Sequence, residues 1–302
     1  MTLPEGVQRD APLARLTTIR TGGPADFFAR PDSLERLTEL LSWADREGVA
    51  VGMVGSGSNL LIADDGYRGL VLKLDGSLAA IEQEGERLVC GGGARLPQAS
   101  ARAARAGLTG LEFGVNIPGT VGGAVKMNAN AYGGDLSRVL EWVELASPGG
   151  GGRRRPEELG FAYRSSGLGA REIVARASFA LEPAEPETVK ATLAEMRAQR
   201  KAAQPSGVKT FGSTFKNPED PAAEGRSAGV LLDEAGCRGL QVGGARFSGK
   251  HANFVENSGE ATTADVIALM AEGRRRVRER FGVTLEPEVQ FLGEVDAGAL
   301  YA

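Results

Sequence analysis

The apolar positions between residues 34 and 44 recur at helical spacing. Leu34, Leu37, Leu41 and Ala44 share one face, with Asp32 or Ser33 ahead of them as a cap and Gly48 behind as a stop, which predicts a helix. The apolar run at residues 50–54 reads as a short buried strand, and Gly55-Ser56-Gly57-Ser58-Asn59 follows it as a turn suited to a ligand. From residue 69 to residue 93 apolar and polar positions alternate, predicting a hairpin, and LPQASARAARAGL predicts a short helix stopped by Gly107. LEWVELA and REIVARASFAL predict strands around the Gly/Arg-rich tip PGGGGRRR. Pro183 and Pro186 mark a boundary. Beyond it, Val189, Leu193 and Met196 predict a helix over residues 187–203, and Val266, Met270 and Val277 predict another over 263–280. KTFGSTFKNP and GGARFSGKHANFVEN between them are strand-like and rich in polar side chains. No internal repeat is visible. The pattern predicts an α+β protein with a larger region over residues 1–185, itself in lobes of about 1–65 and 66–185, and a smaller α+β region over 186–302.

One stretch follows neither period. Residues 110–134, GLEFGVNIPGTVGGAVKMNANAYGG, hold seven glycines in 25 positions around an IPGTVGGA core that no ordinary helix or strand needs. Ordering so many glycines is entropically costly, so the segment is expected to use positive φ or to bring its amides close to something bulky and anionic, for which a pyrophosphate is the natural candidate. GSGSNLL is a weaker signal, because Gly55 and Gly57 also suit a plain tight turn. It is not a Rossmann fingerprint: the third glycine position holds Leu60, and LIADDG reads as strand and turn rather than helix. There is no Walker A lysine.

With 42% apolar and 25% charged residues the chain has globular composition, and a net charge of -4 argues against nucleic acid as the main partner. The 43 glycines, about twice the usual share, form neither a collagen period nor a linker and point to loops with demanding backbones. Cys90 and Cys237 stand far apart without CxxC spacing, so no disulfide framework and no metal site is expected, and a reducing compartment is. MTLPEGVQRDAPLARL lacks a basic start followed by an apolar core, and no run of about 18 apolar residues occurs. A cytoplasmic protein without membrane attachment is the expectation.

Taken together, the motifs resemble one family. TTIRTGGPA (17–25), GSGSNLLIADDGYRG (55–69), the segment 110–134, YRSS (163–166), GSTFKNP (212–218), AGVLLDEAGCRG (228–239), GKHANFVEN (249–257) and LEPEVQFLG (285–293) are similar, in order and across nearly the whole chain, to UDP-N-acetylenolpyruvoylglucosamine reductase, the flavoenzyme of peptidoglycan precursor synthesis. The resemblance implies an FAD-binding region of the vanillyl-alcohol-oxidase-like (PCMH) type and a substrate-binding domain whose last ~20 residues return to the active site. It implies non-covalent FAD, NADPH as hydride donor and a nucleotide-sugar substrate, UDP-N-acetylglucosamine enolpyruvate, reduced to UDP-N-acetylmuramate in two alternating steps. The flavin would lie between the two N-terminal lobes, its ring facing the C-terminal domain. A flavin oxidase of an alcohol or hydroxy acid, and a nucleotide-sensing module without turnover, are the competing readings. The lone histidine, His251, leaves no histidine in the N-terminal 250 residues for a covalent flavin link there.

By the same resemblance the cofactor contacts are Gly55, Ser56, Gly57, Ser58, Asn59, Leu60, Ile117, Pro118, Gly119, Thr120, Gly122, Gly123, Asn128 and Ala129. Where the family commonly has glycine before IPGT and within NAGAYG, this chain has Asn116 and Asn130, and asparagine is the residue best able to replace glycine at positive φ. Ser213 matches the proton donor: hydride delivery to the enolpyruvyl methylene leaves carbanion character basic enough to take a proton even from a hydroxyl. Arg164 would meet the substrate carboxylate as a fork, and Glu288 would hold or share a proton there. Glu286 and Glu288 point the same way on an extended segment, so spacing cannot choose between them; Glu288 is taken because it matches the family's position. Tyr163, Lys216, Asn217 and His251 are the substrate-binding candidates, although His251 equally suits a hydrogen-bonded structural role. Ala203 stands where the family often has a lysine. No tyrosine lies between Arg164 and Ser213, so the chain resembles the compact subtype without the tyrosine-bearing insertion.

Overall fold

Residues 2–301 are described by a computed structural model. They form two compact units that are not consecutive in sequence. One takes the chain up to Gln8, Phe27–Ser56 and Gly69–Arg200; the other takes Arg9–Asp26, Gly57–Arg68 and the chain from Lys201 onward.

In the first unit, the helix Leu34–Arg46 begins where the Ser33 hydroxyl accepts from Arg36 N at 3.2 Å, and it buries Leu37, Leu40, Leu41 and Ala44. Val51–Met53 is paired in parallel with the end of Tyr67–Leu72, in the register Val51↔Leu70. The hairpin expected over residues 69–93 is therefore shorter. LVLKL joins that parallel pair, and only Ile81–Glu84 and Arg87–Gly91 form an antiparallel hairpin. Alternation alone does not encode which neighbour a strand takes.

A five-stranded antiparallel sheet organises the rest of this unit, in the order Gly152–Arg154, Leu140–Ala146, Ile173–Ala180, Arg87–Gly91, Ile81–Glu84. Val174, Ala177 and Phe179 enter a core with Leu96, Ala99 and Val121, while Ile173 and Ala175 enter a second core with the helix Leu34–Arg46. Burial on both faces is why this strand reads as an almost unbroken apolar run. A register shift between Glu144 and Leu145 skips Ala175, which lets Val174 and Ala177 share a core despite their odd spacing. The helix Leu96–Arg105 is present as expected.

The second unit holds a four-stranded antiparallel sheet in the order Thr210–Ser213, Phe254–Asn257, Ala245–Phe247, Gln241–Val242. The helix Thr263–Phe281 lays Val266, Ile267, Met270 and Val277 into one core with Phe211, Phe215, Phe247 and Val255. A capping box starts it: Thr262 Oγ1 accepts from Asp265 N, and Asp265 Oδ2 accepts from Thr262 N, both at 3.0 Å. Early segments of the chain are built into this unit. Asn257 Nδ2 donates to Ile19 O at 2.9 Å, Thr263 Oγ1 donates to Ile62 O at 2.6 Å, and Leu60–Ile62 runs parallel to Gln290–Leu292. No helix among the described residues is long and apolar enough to cross a membrane.

Candidate active site

In the first unit the two glycine segments meet. Ser56 Oγ donates to Pro118 O at 2.5 Å, and a Cβ on Gly55 would stand 2.5 Å from Thr120 Oγ1, so only glycine permits this approach. Lys73, at the end of the LVLKL run, donates from Nζ to Gly55 O, and burial lowers its pKa. Lys73 was not among the expected site residues; its place in the apolar run LVLKL was the available signal.

Contrary to expectation, part of the IPGTVGGA core is helical: Val121–Lys126 forms a short helix, with Thr120 Oγ1 accepting from Gly123 N at 3.4 Å. Val121 N and Gly122 N donate to Ala94 O and Gly92 O. Three amides expected to face a phosphate are thus used inside the protein. Among the described residues, no hydrogen bond engages the amides of Gly119 and Thr120. Ile117 packs against the first unit's core, and Ala129 is buried.

Asn116 and Asn130 make no use of asparagine's tolerance of positive φ. Left-handed backbone falls at Asn128 (φ 40°) and Tyr132 (φ 51°) instead. Asn116 is held by its side chain, Nδ2 donating to Met196 O at 2.7 Å, while Arg200 donates to its carbonyl. Asn130 lies in the strand Asn130–Ala131, paired with Gly134–Asp135. Its Oδ1 accepts from Arg164 Nη1 at 2.6 Å. Tyr163 and Arg164 form the tip of a tight turn closed by reciprocal 3.1 Å bonds between Ala162 and Ser165, with Arg164 at φ 56° and its guanidinium 5.2 Å from the Tyr163 ring centroid.

The second unit brings together Ser213, Glu288 and the tail of the GSGSN motif. Glu288 N donates to Thr214 O and Lys216 N donates to Glu286 O, each at 2.9 Å, around an antiparallel bridge between Phe215 and Pro287. Asn59 Nδ2 donates to Glu288 O at 3.2 Å, Gln290 N donates to Asn59 O at 3.1 Å, and Leu60 opens the parallel strand beside it. A Cβ on Gly212 would stand 3.7 Å from Ser58 O, which puts this motif beside the residue preceding Ser213. Gly57 takes φ 66°, and a Cβ there would collide with the Leu16 carbonyl.

Two neighbours of Ser213 were not foreseen. Asn253, 4% exposed, grips the Phe215 backbone with both halves of its amide: Oδ1 accepts from Phe215 N at 2.9 Å and Nδ2 donates to Phe215 O at 2.8 Å. Thr214 Oγ1 is buried with no hydrogen-bond partner among the described residues. Nothing in HANF or STF marks these contacts, because they join residues 38 apart in sequence.

The acidic pair separates cleanly. Glu286 is exposed and paired at 3.3 Å with Lys216, whereas Glu288 is half-buried. Asn217 Oδ1 accepts from Ala228 N at 3.1 Å, at the start of the helix Ala228–Glu234. His251 Nδ1 accepts from Asn253 N at 3.2 Å, and its ring packs edge-on to Phe254 and close against Gly229. Burial lowers its pKa, and the accepted bond leaves the Nε2–H tautomer. These contacts belong to the structural role.

A model described as the FAD binding domain matches residues 25–153, and one described as the C-terminal domain of UDP-N-acetylenolpyruvoylglucosamine reductase matches residues 204–292. UDP-N-acetylenolpyruvoylglucosamine reductase 2 of Symbiobacterium thermophilum is 44% identical over 294 residues, covering 96% of this chain and 93% of that protein. The chain belongs to the UDP-N-acetylenolpyruvoylglucosamine reductase family. A reductase of this family from an Anaeromyxobacter species is likewise 44% identical, over 96% of this chain and 90% of its own. The crystal structure of the family's enzyme from Thermus caldophilus is similar with a TM-score of 0.82 at 38% identity, covering 95% of this chain and 98% of that one. The α+β architecture expected from the motifs is that of this reductase family.

Proposed function

We propose that this protein reduces UDP-N-acetylglucosamine enolpyruvate to UDP-N-acetylmuramate with NADPH, through non-covalently bound FAD, in peptidoglycan precursor synthesis. The observation that carries the reading is similarity to reductases of this name along 96% of the chain. The geometry within each unit supports it.

FAD is the resident cofactor the reaction requires, and the residues fit it. Gly119 and Gly123 have neither left-handed backbone nor a crowding neighbour: a Cβ on Gly119 would find nothing nearer than 3.7 Å, and one on Gly123 nothing nearer than 3.4 Å. Their lack of a side chain suits a non-protein neighbour. Asn128 Oδ1, buried without a partner among the described residues, is an acceptor suited to a donor from outside the chain. Gly55–Leu60, Ile117–Thr120, Gly122, Gly123, Asn128 and Ala129 would line this cofactor. When bound there, FAD would supply the hydride-transfer chemistry that links NADPH to the enolpyruvyl methylene carbon.

Ser213 gives its hydroxyl proton to the adjacent carbon, which has become basic through conjugation with the carboxylate. Arg164 stabilises the negative charge on that carboxylate, and Glu288 holds or shares a proton there. Tyr163, Lys216, Asn217 and His251 serve the nucleotide sugar, His251 by keeping the Asn253 loop in shape. Residues 1–185 act as the flavin-binding region and 186–302 as the substrate domain. The two free, buried cysteines suit a cytoplasmic location.

Anaerobic mixing tests the proposal. NADPH is expected to bleach the flavin absorbance and the enolpyruvyl sugar nucleotide to restore it. Bleaching by a simple alcohol or hydroxy acid instead, or no redox change at all, defeats it.

A further inference from the structure

Ser213 ends the strand Thr210–Ser213 just after an irregularity in its pairing. Thr210 stands opposite Glu256 and Ser213 opposite Phe254, so residues 210–213 lie against residues 254–256, one fewer, and Gly212 takes φ 86°. A bulge of this kind re-aims the side chains that follow it, and a slip of one residue turns each of them to the other face. The residue that a slip would present in place of Ser213 is Thr214, a second hydroxyl. Thr214 and Phe215 are both fully buried, so alternation of burial does not mark where pairing resumes after the bulge.

Asn253 marks it. Its main-chain carbonyl accepts from Thr214 N at 2.8 Å, and its side-chain amide carries the ladder one residue further, Oδ1 accepting from Phe215 N at 2.9 Å and Nδ2 donating to Phe215 O at 2.8 Å. The side chain thus offers Phe215 an acceptor and a donor as a neighbouring strand would, and only one orientation of the amide fits. The remaining main-chain group of Asn253 is used as well, N donating to His251 Nδ1 at 3.2 Å. A residue 4% exposed with every polar group engaged is a rigid part of the interior. On the other edge of the same segment, Glu288 N donates to Thr214 O and Lys216 N to Glu286 O. None of these bonds ends on the Ser213 hydroxyl. They hold the backbone from which it is aimed, and a proton donor works only within reach of one carbon on one face.

We infer that Asn253 is a positioning residue for the proton transfer: by pairing with Phe215 as a surrogate strand, it sets the register in which Ser213 offers its hydroxyl to the substrate carbon. The inference rests on the assignment of Ser213 as proton donor.

The test compares Asn253→Leu, Asn253→Gln, Ser213→Ala and the double variant N253L/S213A in the full-length, FAD-loaded enzyme, following flavin reduction by NADPH and flavin reoxidation by the enolpyruvyl sugar nucleotide in separate stopped-flow experiments. N253L keeps the shape of the side chain and removes both bonds to Phe215; N253Q keeps the amide on a stem one methylene longer. Reoxidation is expected to slow about a hundredfold in N253L and about tenfold in N253Q, with reduction within about twofold of wild type in both. In the double variant reoxidation is expected to be no slower than in S213A alone, because Asn253 acts only through Ser213. Wild-type reoxidation in N253L overturns the inference. Slowing of both half-reactions to the same degree also overturns it, as a merely structural role, and so does a double variant that carries the full N253L loss on top of that of S213A. If N253L does not fold, N253Q and its double variant with S213A decide by the same comparison. Wild-type reoxidation in S213A defeats the assignment of Ser213 and the inference with it; slow reoxidation in S213A with wild-type rates in both Asn253 variants defeats only the role of Asn253.

Discussion

The Glu288 amide donates to the Thr214 carbonyl at 2.9 Å, so the two segments carrying the proposed proton donor and the proposed acidic partner are held together by backbone. Backbone placement matters because a hydroxyl donor works only within hydrogen-bond reach of one carbon on one face. Side-chain substitution at either position leaves this frame in place. For Ser213→Ala we expect flavin reduction by NADPH at the wild-type rate and flavin reoxidation by the enolpyruvyl substrate slowed by about a hundredfold or more. Stopped-flow absorbance reads the two steps separately, and equal loss of both removes Ser213 from the proton-transfer role.

Glu286 and Glu288 should behave oppositely. Glu286 makes an exposed ion pair with Lys216, the kind worth about 0.5 kcal/mol or less, so Glu286→Gln should leave turnover and urea stability nearly unchanged. Glu288→Gln should lower kcat by about a hundredfold or more while the protein stays folded. The reverse pattern reassigns the acid to Glu286.

The close approach of Gly55 to Thr120 predicts a cofactor phenotype. A methyl group on Gly55 has to push Thr120 away, and overpacking of this kind costs about 1–3 kcal/mol. Gly55→Ala is expected to raise the FAD dissociation constant about tenfold or more by flavin-fluorescence titration. Gly152→Ala, at a site with open space and no positive φ, is the control and should bind FAD as wild type does. Since no histidine precedes residue 251, acid precipitation should release all flavin to the supernatant.

His251 is the only histidine, so its ring resonance can be assigned without ambiguity. Burial lowers its pKa, and NMR titration should place it below the unperturbed value of about 6.5. The unfolded chain then binds the proton more tightly than the folded one, so stability is held above pH ~6.5 and declines as pH falls through the folded-state pKa. A titration midpoint at or above about 6.5 contradicts the packed, neutral imidazole.

Local chemistry was legible residue by residue. Ser33 caps the helix it was expected to cap, and Val266, Met270 and Val277 are buried together. Strand partners were less legible. LVLKL pairs in parallel with Val51–Met53 instead of turning into a hairpin, because alternation specifies a half-buried strand and not its neighbour. The asparagines at 116 and 130 were expected to tolerate left-handed backbone, a property of the residue type. They are instead engaged through their side chains, by Met196 O and by Arg164, which lie 80 and 34 residues away.

The order and content of the motifs belong to the sequence. Which glycine segments and reactive side chains occur, the absence of a Rossmann turn at Leu60 and the helical periods all follow from local residue identity. Tertiary structure decided their company. It set Asn59 beside Glu288 and Glu288 beside Thr214, and it built residues 9–26 and 57–68 into the unit that starts again at Lys201, far along the chain from both segments. The physical reason is range. Periodicity and capping act over a few residues, whereas burial and backbone pairing bring together whichever distant segments satisfy each other's apolar faces and hydrogen bonds.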